Sequence, residues 1–234
     1  MKYILLTGLA HTKTLSDGTQ LSRIIALQDF SDVKKGEVGG WLASEANLTQ
    51  AGNCWVYDEA MVYGNALVRD NAQVFDEAIV RENAIIADSA KVCGHAQVYG
   101  SAAISGNVSV SNYIKVYGDA SLSGNFAVKG DYGLFSDTVA TKAPRVLATE
   151  DLTMVLADNN VLVGCSCYSL SRWESFSTAQ IELITPGSGW LFSRYEALFK
   201  AVMYLPYLTP ADIEALQNIA TAAISPGEGS SIAP

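Results

Sequence analysis

The chain has 234 residues, with 15 Lys and Arg against 24 Asp and Glu and a formal net charge of −9. That length holds one large domain or two modest ones, and an acidic balance without clustered Lys and Arg argues against binding a nucleic-acid backbone. No run of about eighteen apolar residues occurs, so no membrane span is expected, and the opening Met1-Lys2-Tyr3-Ile4-Leu5-Leu6 is too short for a secretory signal.

Residues 1–40 read as a small β cap. Tyr3–Thr7 and Leu21–Leu27 are apolar runs, and Ser16-Asp17-Gly18 between them is a turn signal. Gly36, Gly39 and Gly40 mark a bend before Trp41, whose ring is expected to cover the first coil of the central stretch.

Residues 41–131 are organised by a period of six. An aliphatic residue recurs at Val56, Val62, Val68, Val74, Val80, Ile86, Val92, Val98, Ile104, Val110, Val116, Leu122 and Val128. Two places before each stands a small residue, usually Ala; Val108, Ile114 and Phe126 are larger. Two places after comes Gly, Asp, Glu or Asn. Leu42 and Leu48 keep a looser version of the rhythm. No amphipathic helix has this period, whereas Ala-x-Val is a short strand with two residues inward and one outward. Gly, Asn, Asp and Ser after it supply a corner. A unit so short cannot bury its own apolar face, so copies must stack into a solenoid. Such a stack exposes strand edges at its ends, which is why a cap is required.

Residues 132–225 follow a different grammar and read as a small α+β domain. Leu147–Leu156 and Val161–Tyr168 are strand-like around a turn at Asp158-Asn159-Asn160. Ser171-Arg172-Trp173-Glu174 can open a short helix. Trp190–Tyr204 has apolar residues at helical spacing, and Thr209-Pro210 starts another helix. Residues 226–234 form a Gly- and Ser-rich tail, expected to be mobile. The four cysteines do not make a disulfide framework in a chain this long. Cys54 sits at an inward repeat position and Cys93 one step outward. Cys165 and Cys167 share a strand face without further ligands at metal-binding spacing, so no metal site is expected.

The six-residue rows resemble the hexapeptide-repeat left-handed parallel β-helix, in which three hexapeptides make one triangular coil. The likeness is strong over Cys54–Asp131, with the Gly or Asp one place later than in the family's commonest form. The stretches Leu21–Phe30, Gly39-Gly40-Trp41 and Gly52-Asn53-Cys54-Trp55-Val56 resemble the opening of hexapeptide-repeat proteins of phages and prophages. That likeness implies a bacterial host cytoplasm or a virion as the place of action.

The resemblance also implies a chemistry. Enzymes with hexapeptide helices are typically trimeric acyltransferases that use acetyl- or acyl-CoA, with a His as general base. Coils of about eighteen residues would stack His95 above Glu77 and Glu59, with Tyr113 on the next layer. A carboxylate beside an imidazole could orient it as a base. The same corner elsewhere holds Asn65, Asn71, Asn83, Ser101 and Asn107, so the residues alone read His95 as a solvated corner. The repeat runs without the loop that such enzymes insert, and no basic cluster is placed to hold a coenzyme's phosphates. His11, beside Thr12 and Lys13, reads as a loop residue.

A binding surface has its own marks. One face would present Tyr63, Arg81, Tyr99 and Tyr117 in a column, with Met61 and Ile79 among the outward residues before them. Leu67, Ile85, Ala87 and Ala103 form a small, apolar face suited to a symmetry mate or to the C-terminal domain, with a trimer first among oligomers by resemblance. Outward Tyr also fits strand propensity, and stacked like side chains stabilise a solenoid by themselves. The leading expectation is a non-catalytic β-helical scaffold that binds a protein partner or itself without a cofactor. The alternative is a trimeric acyltransferase using acetyl-CoA with His95 as base and Glu77 orienting it. A third reading is an oligomer that sequesters a small ligand.

Overall fold

The computed structural model describes residues 1–130, 133–134, 139–141, 144–148, 153–158, 160–163, 166–177 and 180. The chain is mainly β, and residues divide into two compact units: Met1–Arg145 with Leu156–Asn160, and Val146–Val155 with Val161–Pro234.

The first unit is a β-solenoid of about five turns with three parallel walls. The first wall is built from Met61–Val62, Ile79–Val80, Gln97–Val98, Lys115–Val116 and Gly133–Leu134. The second contains Leu67–Val68, Ile85–Ile86, Ala103–Ile104, Ser121–Leu122 and Val139–Ala140. The third contains Trp55–Val56, Gln73–Val74, Lys91–Val92, Ser109–Asn112 and Ala127–Gly130. Partners lie eighteen residues apart, Ile86 between Val68 and Ile104 for example. One turn is therefore three hexapeptides. The two last strands carry the walls past residue 131, beyond the span over which the repeat is plain in the sequence.

The period of six is the period of burial. Val62, Val68, Val74, Val80, Ile86 and their successors are wholly buried, as are the alanines two places earlier. These stacked aliphatic columns are the core, and neighbouring coils bond through ladders such as Leu67 N–H to Ala84 O, 2.9 Å. Leu42 and Leu48 join the core, and Leu48 bridges to Val68.

Each corner is a tight turn closed by bonds such as Ala60 N–H to Tyr57 O, 3.1 Å. Its second residue has positive φ, as at Asp58, Gly64, Asp70, Asp76, Glu82, Asp88, Gly94 and Gly100. This is why Gly, Asp, Asn or Glu stands two places after the aliphatic residue. The acids contribute something Gly cannot. Their carboxylates accept the N–H of the corner residue one coil on: Asp58 from Asp76 (3.2 Å), Asp76 from Gly94 (2.9 Å), Asp88 from Gly106 (2.8 Å) and Glu82 from Gly100 (3.0 Å). A backbone donor that the walls leave over is thereby satisfied. Amide ladders run beside them, Asn53 to Asn71 (3.2 Å) and Asn65 to Asn83 (3.1 Å).

The cap consists of strands Tyr3–Leu5, Thr12–Thr14 and Gln20–Ala26, with Gln20–Ala26 antiparallel to both of the others and also to Val38–Leu42. Val38–Leu42 then pairs in parallel with Met61–Val62 and hands the antiparallel cap over to the solenoid. Two expectations are corrected here. Gly39 and Gly40 lie inside that strand and do not make the bend, which falls at Gly36 with φ +89. Both are glycine because a Cβ would stand about 2.6 Å from Val56 O or Val56 Cγ1. Trp41 lies on the outside of the wall, beneath Lys13 and Arg23 at 4.2 and 4.3 Å. Trp55 is the ring that closes the junction: it is wholly buried, edge-on to Tyr3 and Phe30.

Strands Arg145–Ala148, Thr153–Ala157, Asn160–Val163 and Ser166–Ser169 form a four-stranded sheet in chain order, followed by helix Leu170–Ser175. Each long strand-like run expected here is thus two strands. The turn at Asp158 is present, with φ +46. Trp173 packs edge-on to Tyr168 and Phe176 and donates its indole N–H to Val161 O, 2.8 Å. The expected helices at 190–204 and 209–223, the tail 226–234 and Cys165 lie outside the described residues.

Candidate functional site

The corner between the third and first walls carries the column Glu59, Glu77, His95 and Tyr113, one residue per coil. Each side chain is delivered by the same device. The preceding positive-φ residue (Asp58, Asp76, Gly94, Asn112) turns the chain, and the next residue points off the corner. Backbone bonds fix the layer spacing, Glu77 N–H to Gly94 O and His95 N–H to Asn112 O at 3.0 and 2.9 Å.

The contacts expected from the eighteen-residue spacing are made. His95 Nδ1 lies 3.3 Å from Glu77 Oε2. On its other side the imidazole stacks on the Tyr113 ring, with centroids 4.9 Å apart and planes at 12°. The His and Glu side chains are 48% and 67% exposed, so the pair stands on an open surface. With Nδ1 turned toward the carboxylate, Nε2 is the ring nitrogen left to face an incoming group. Glu59 does not extend this pairing. The Trp41 indole N–H reaches it at 2.9 Å and Arg23 forms an ion pair with it. Burial pushes the Glu59 carboxyl up, but the Trp41 hydrogen bond and Arg23 outweigh that and hold it below its ordinary range.

Beside this corner, on the third wall, is Cys93, which is half-buried; burial pushes its thiol up, with Asp76 adding to the effect. Tyr57 in the same column donates to Asp32 Oδ1 (2.9 Å) and accepts from Gln73 (3.0 Å), tying the cap loop to the wall. His11 ends a single 3-10 turn, Leu9–His11, in the cap. Among the described residues no group of three His, Cys, Asp or Glu could hold a metal ion.

The second corner holds the aromatic column. The Arg81 guanidinium lies 4.1 Å over the Tyr99 ring, and Tyr99 stacks on Tyr117 at 5.0 Å with planes at 5°. Tyr63 is partly buried, which raises its phenol pKa against the opposing effect of Arg81. Face-to-face stacking uses up the ring faces within the column, so the surface it offers is mainly ring edges and hydroxyls. Met61 and Ile79 precede Tyr63 and Arg81 on the first wall and are half-buried. On the second wall Leu67 and Ala103 are half-buried and Ile85 is exposed. Ala87 is not part of an outer face. It is 2% exposed, in the column of Arg69 and Ser105.

Arg23, Trp41 and Lys13, which determine the state of Glu59, were not legible as neighbours of this column. They come from cap strands that obey no period of six, and pairing shifts from eighteen to twenty residues between Trp41 and Met61.

No protein-family model matches the chain. The chain is similar to "Uncharacterized acetyltransferase YdcK" of Escherichia coli (strain K12), 45% identical over 62 residues. The match covers 24% of this chain and 19% of that protein's length, so the chain spans about a fifth of this relative.

Proposed function

We propose that the chain is an acyltransferase of the hexapeptide-repeat kind, in which His95 acts as general base and Glu77 orients it. The observation that carries this is the ordered corner in which Glu77, His95 and Tyr113 touch in succession. The likeness to a protein named as an acetyltransferase supports acyl transfer over the non-catalytic scaffold.

The chemistry asked of these residues is modest. An acceptor hydroxyl or amine approaching Nε2 gives up its proton as it attacks the thioester carbon; the C–S bond then breaks and the departing thiolate takes up that proton. The imidazolium that forms is stabilised by the Glu77 carboxylate at Nδ1. Tyr113, stacked on one face of the ring, restricts its rotation and so keeps Nε2 aimed outward. A bound acyl-CoA would supply the acyl group as a thioester. The residues suit an anionic donor at two positions: the exposed Lys91 and Lys115 stand on the walls meeting at this corner. The corner amides of Gly94 and Gly100 are engaged by Asp76 and Glu82.

Thiol release from acetyl-CoA, followed with a panel of amine and hydroxyl acceptors, tests the reading. His95→Ala should lower the rate about 10²- to 10⁴-fold, and Glu77→Gln should lower it less, with the fold unchanged by circular dichroism. Turnover that His95→Ala leaves intact would sink the assignment.

A second reading rests on the ordered Tyr63–Arg81–Tyr99–Tyr117 column, which fits a scaffold that binds a protein partner or further copies of itself, a trimer first. Tyr99→Ala distinguishes the two, because it should weaken association and leave acyl transfer untouched.

A further inference from the structure

At the junction of cap and solenoid, a lysine and a cysteine are buried together. Cys54 is wholly buried and Lys2 is 2% exposed. Lys2 Nζ donates to Cys54 O at 2.8 Å and lies 3.3 Å from Cys54 Sγ, with Gly52 O at 3.4 Å. The sulfur is itself held in place, 3.2 Å from Thr49 Oγ1 and 3.6 Å from Thr49 O. Neighbouring contacts leave the lysine backbone little freedom: Gln50 Oε1 accepts both the Lys2 N–H (2.7 Å) and the Tyr3 N–H (3.3 Å), and Tyr3 OH donates to Leu48 O (2.6 Å). Phe30 lies beneath the ammonium, 5.1 Å to the ring centre. A buried lysine without a carboxylate is an expensive thing to maintain, and nothing in the proposed acyl transfer uses it.

We propose that Lys2 and Cys54 are the site of an oxidative cross-link, in which one oxygen atom joins Nζ to Sγ. The two atoms already stand close enough for one bridging atom, in a pocket that excludes water. Dioxygen or hydrogen peroxide is the oxidant. With dioxygen, one oxygen atom becomes the bridge. The other leaves as water with the thiol hydrogen and one amine hydrogen. Sulfur and nitrogen each give up two electrons and dioxygen takes four. With hydrogen peroxide, two molecules are consumed and three waters leave, the first step being sulfenic acid formation at Cys54. The reaction needs a neutral amine. Burial moves Lys2 that way by lowering its pKa, against the opposing pull of Cys54. The product would tie the amino-terminal strand to the first coil across the intervening chain, and thiols would reverse it.

The test is to treat the purified full chain with hydrogen peroxide and map its peptides by mass spectrometry. The expected product is a peptide containing Lys2 joined to one containing Cys54. It has gained one oxygen and lost two hydrogens, and dithiothreitol cleaves it. The melting temperature should rise on oxidation and fall back on reduction. Lys2→Arg keeps a buried cation but cannot form the bridge, so the joined peptide should vanish. Cys54 carrying oxygen while Lys2 stays unmodified would overturn the proposal. Equally, an unoxidised Cys54 under conditions that oxidise the more exposed Cys93 would overturn it. Both results are read on the unmutated protein, so neither depends on a variant folding.

Discussion

Ile85 and Ile86 are chemically identical neighbours with opposite surroundings, and replacing each by Asp tests the register of the whole solenoid. Ile86 is wholly buried between Val68 and Ile104, whereas Ile85 is 39% exposed. Losing the buried side chain costs about 2–3 kcal/mol of transfer free energy. The carboxyl that replaces it meets only aliphatic neighbours in its column. A fully buried carboxyl titrates some three pH units above its usual value of about 3.9, which at pH 7 adds about 4 kcal/mol. The sum of about 6 kcal/mol is comparable to the whole stability of a small domain. Ile85→Asp should cost only about 1 kcal/mol. Sign follows from linkage: the buried acid's folded-state pKa is raised, so its penalty is absent below pH ~3.9 and grows as pH rises toward the folded pKa. Urea unfolding followed by circular dichroism, at pH 7 and near pH 4, should therefore show a large deficit for Ile86→Asp that shrinks in acid. Equal losses for the two variants, or a deficit independent of pH, would refute the register.

Gly94→Ala should destabilise by about 1–3 kcal/mol, because φ is +64 and a Cβ would stand 2.9 Å from Asn112 N, a backbone atom with little room to yield. Gly18→Ala, with φ +87 but nothing within 4 Å, should cost less in the same melting series. The Tyr57 hydrogen bond holds the Asp32 carboxyl below its ordinary range. Its contribution is present above pH ~3.9 and lost as pH falls through the lowered folded value. Tyr57→Phe should flatten that acid limb, by no more than about 1 kcal/mol for one hydrogen bond. Tyr99→Ala should leave the melting temperature nearly unchanged, since only surface stacking is lost; a fall of many degrees would make that column structural.

The solenoid was legible because every level of the sequence agrees. Burial, backbone sign and spacing repeat together, so Val62, Gly64 and Ala66 each announce their role and are supported by the copies in every other coil. The contacts of His95 were legible for the same reason, since spacing of eighteen becomes contact once coils stack. Residues without a period mislead. Gly39 and Gly40 look like a bend because glycine signals turns, but their cause is a close approach to Val56 and Ala60 that only the packed chain reveals. Ala87 looks outward by alternation, yet it is 2% exposed in the packed chain. The covering role expected of Trp41 falls to Trp55 because indole volume says that a ring must be covered somewhere, without saying by what.

The same column also shows why one glutamate, and not the other, can serve a histidine. Glu59 and Glu77 occupy equivalent corners one coil apart and would be interchangeable in an endless repeat. The cap breaks that equivalence. Arg23 and Trp41 both bind Glu59, whose carboxylate is committed to the junction, while Glu77, one layer further from the cap, meets His95. A repeat ordinarily offers many copies of a surface and no unique place for chemistry. Here the end effect of two capping strands, followed by a single histidine two coils on, converts a ladder of like corners into one asymmetric pair. Arg23→Ala should therefore act on stability through Glu59 and leave the His95–Glu77 pair working. If it abolished acyl transfer as fully as His95→Ala, the column would be a single coupled unit and the two glutamates would not have separate roles.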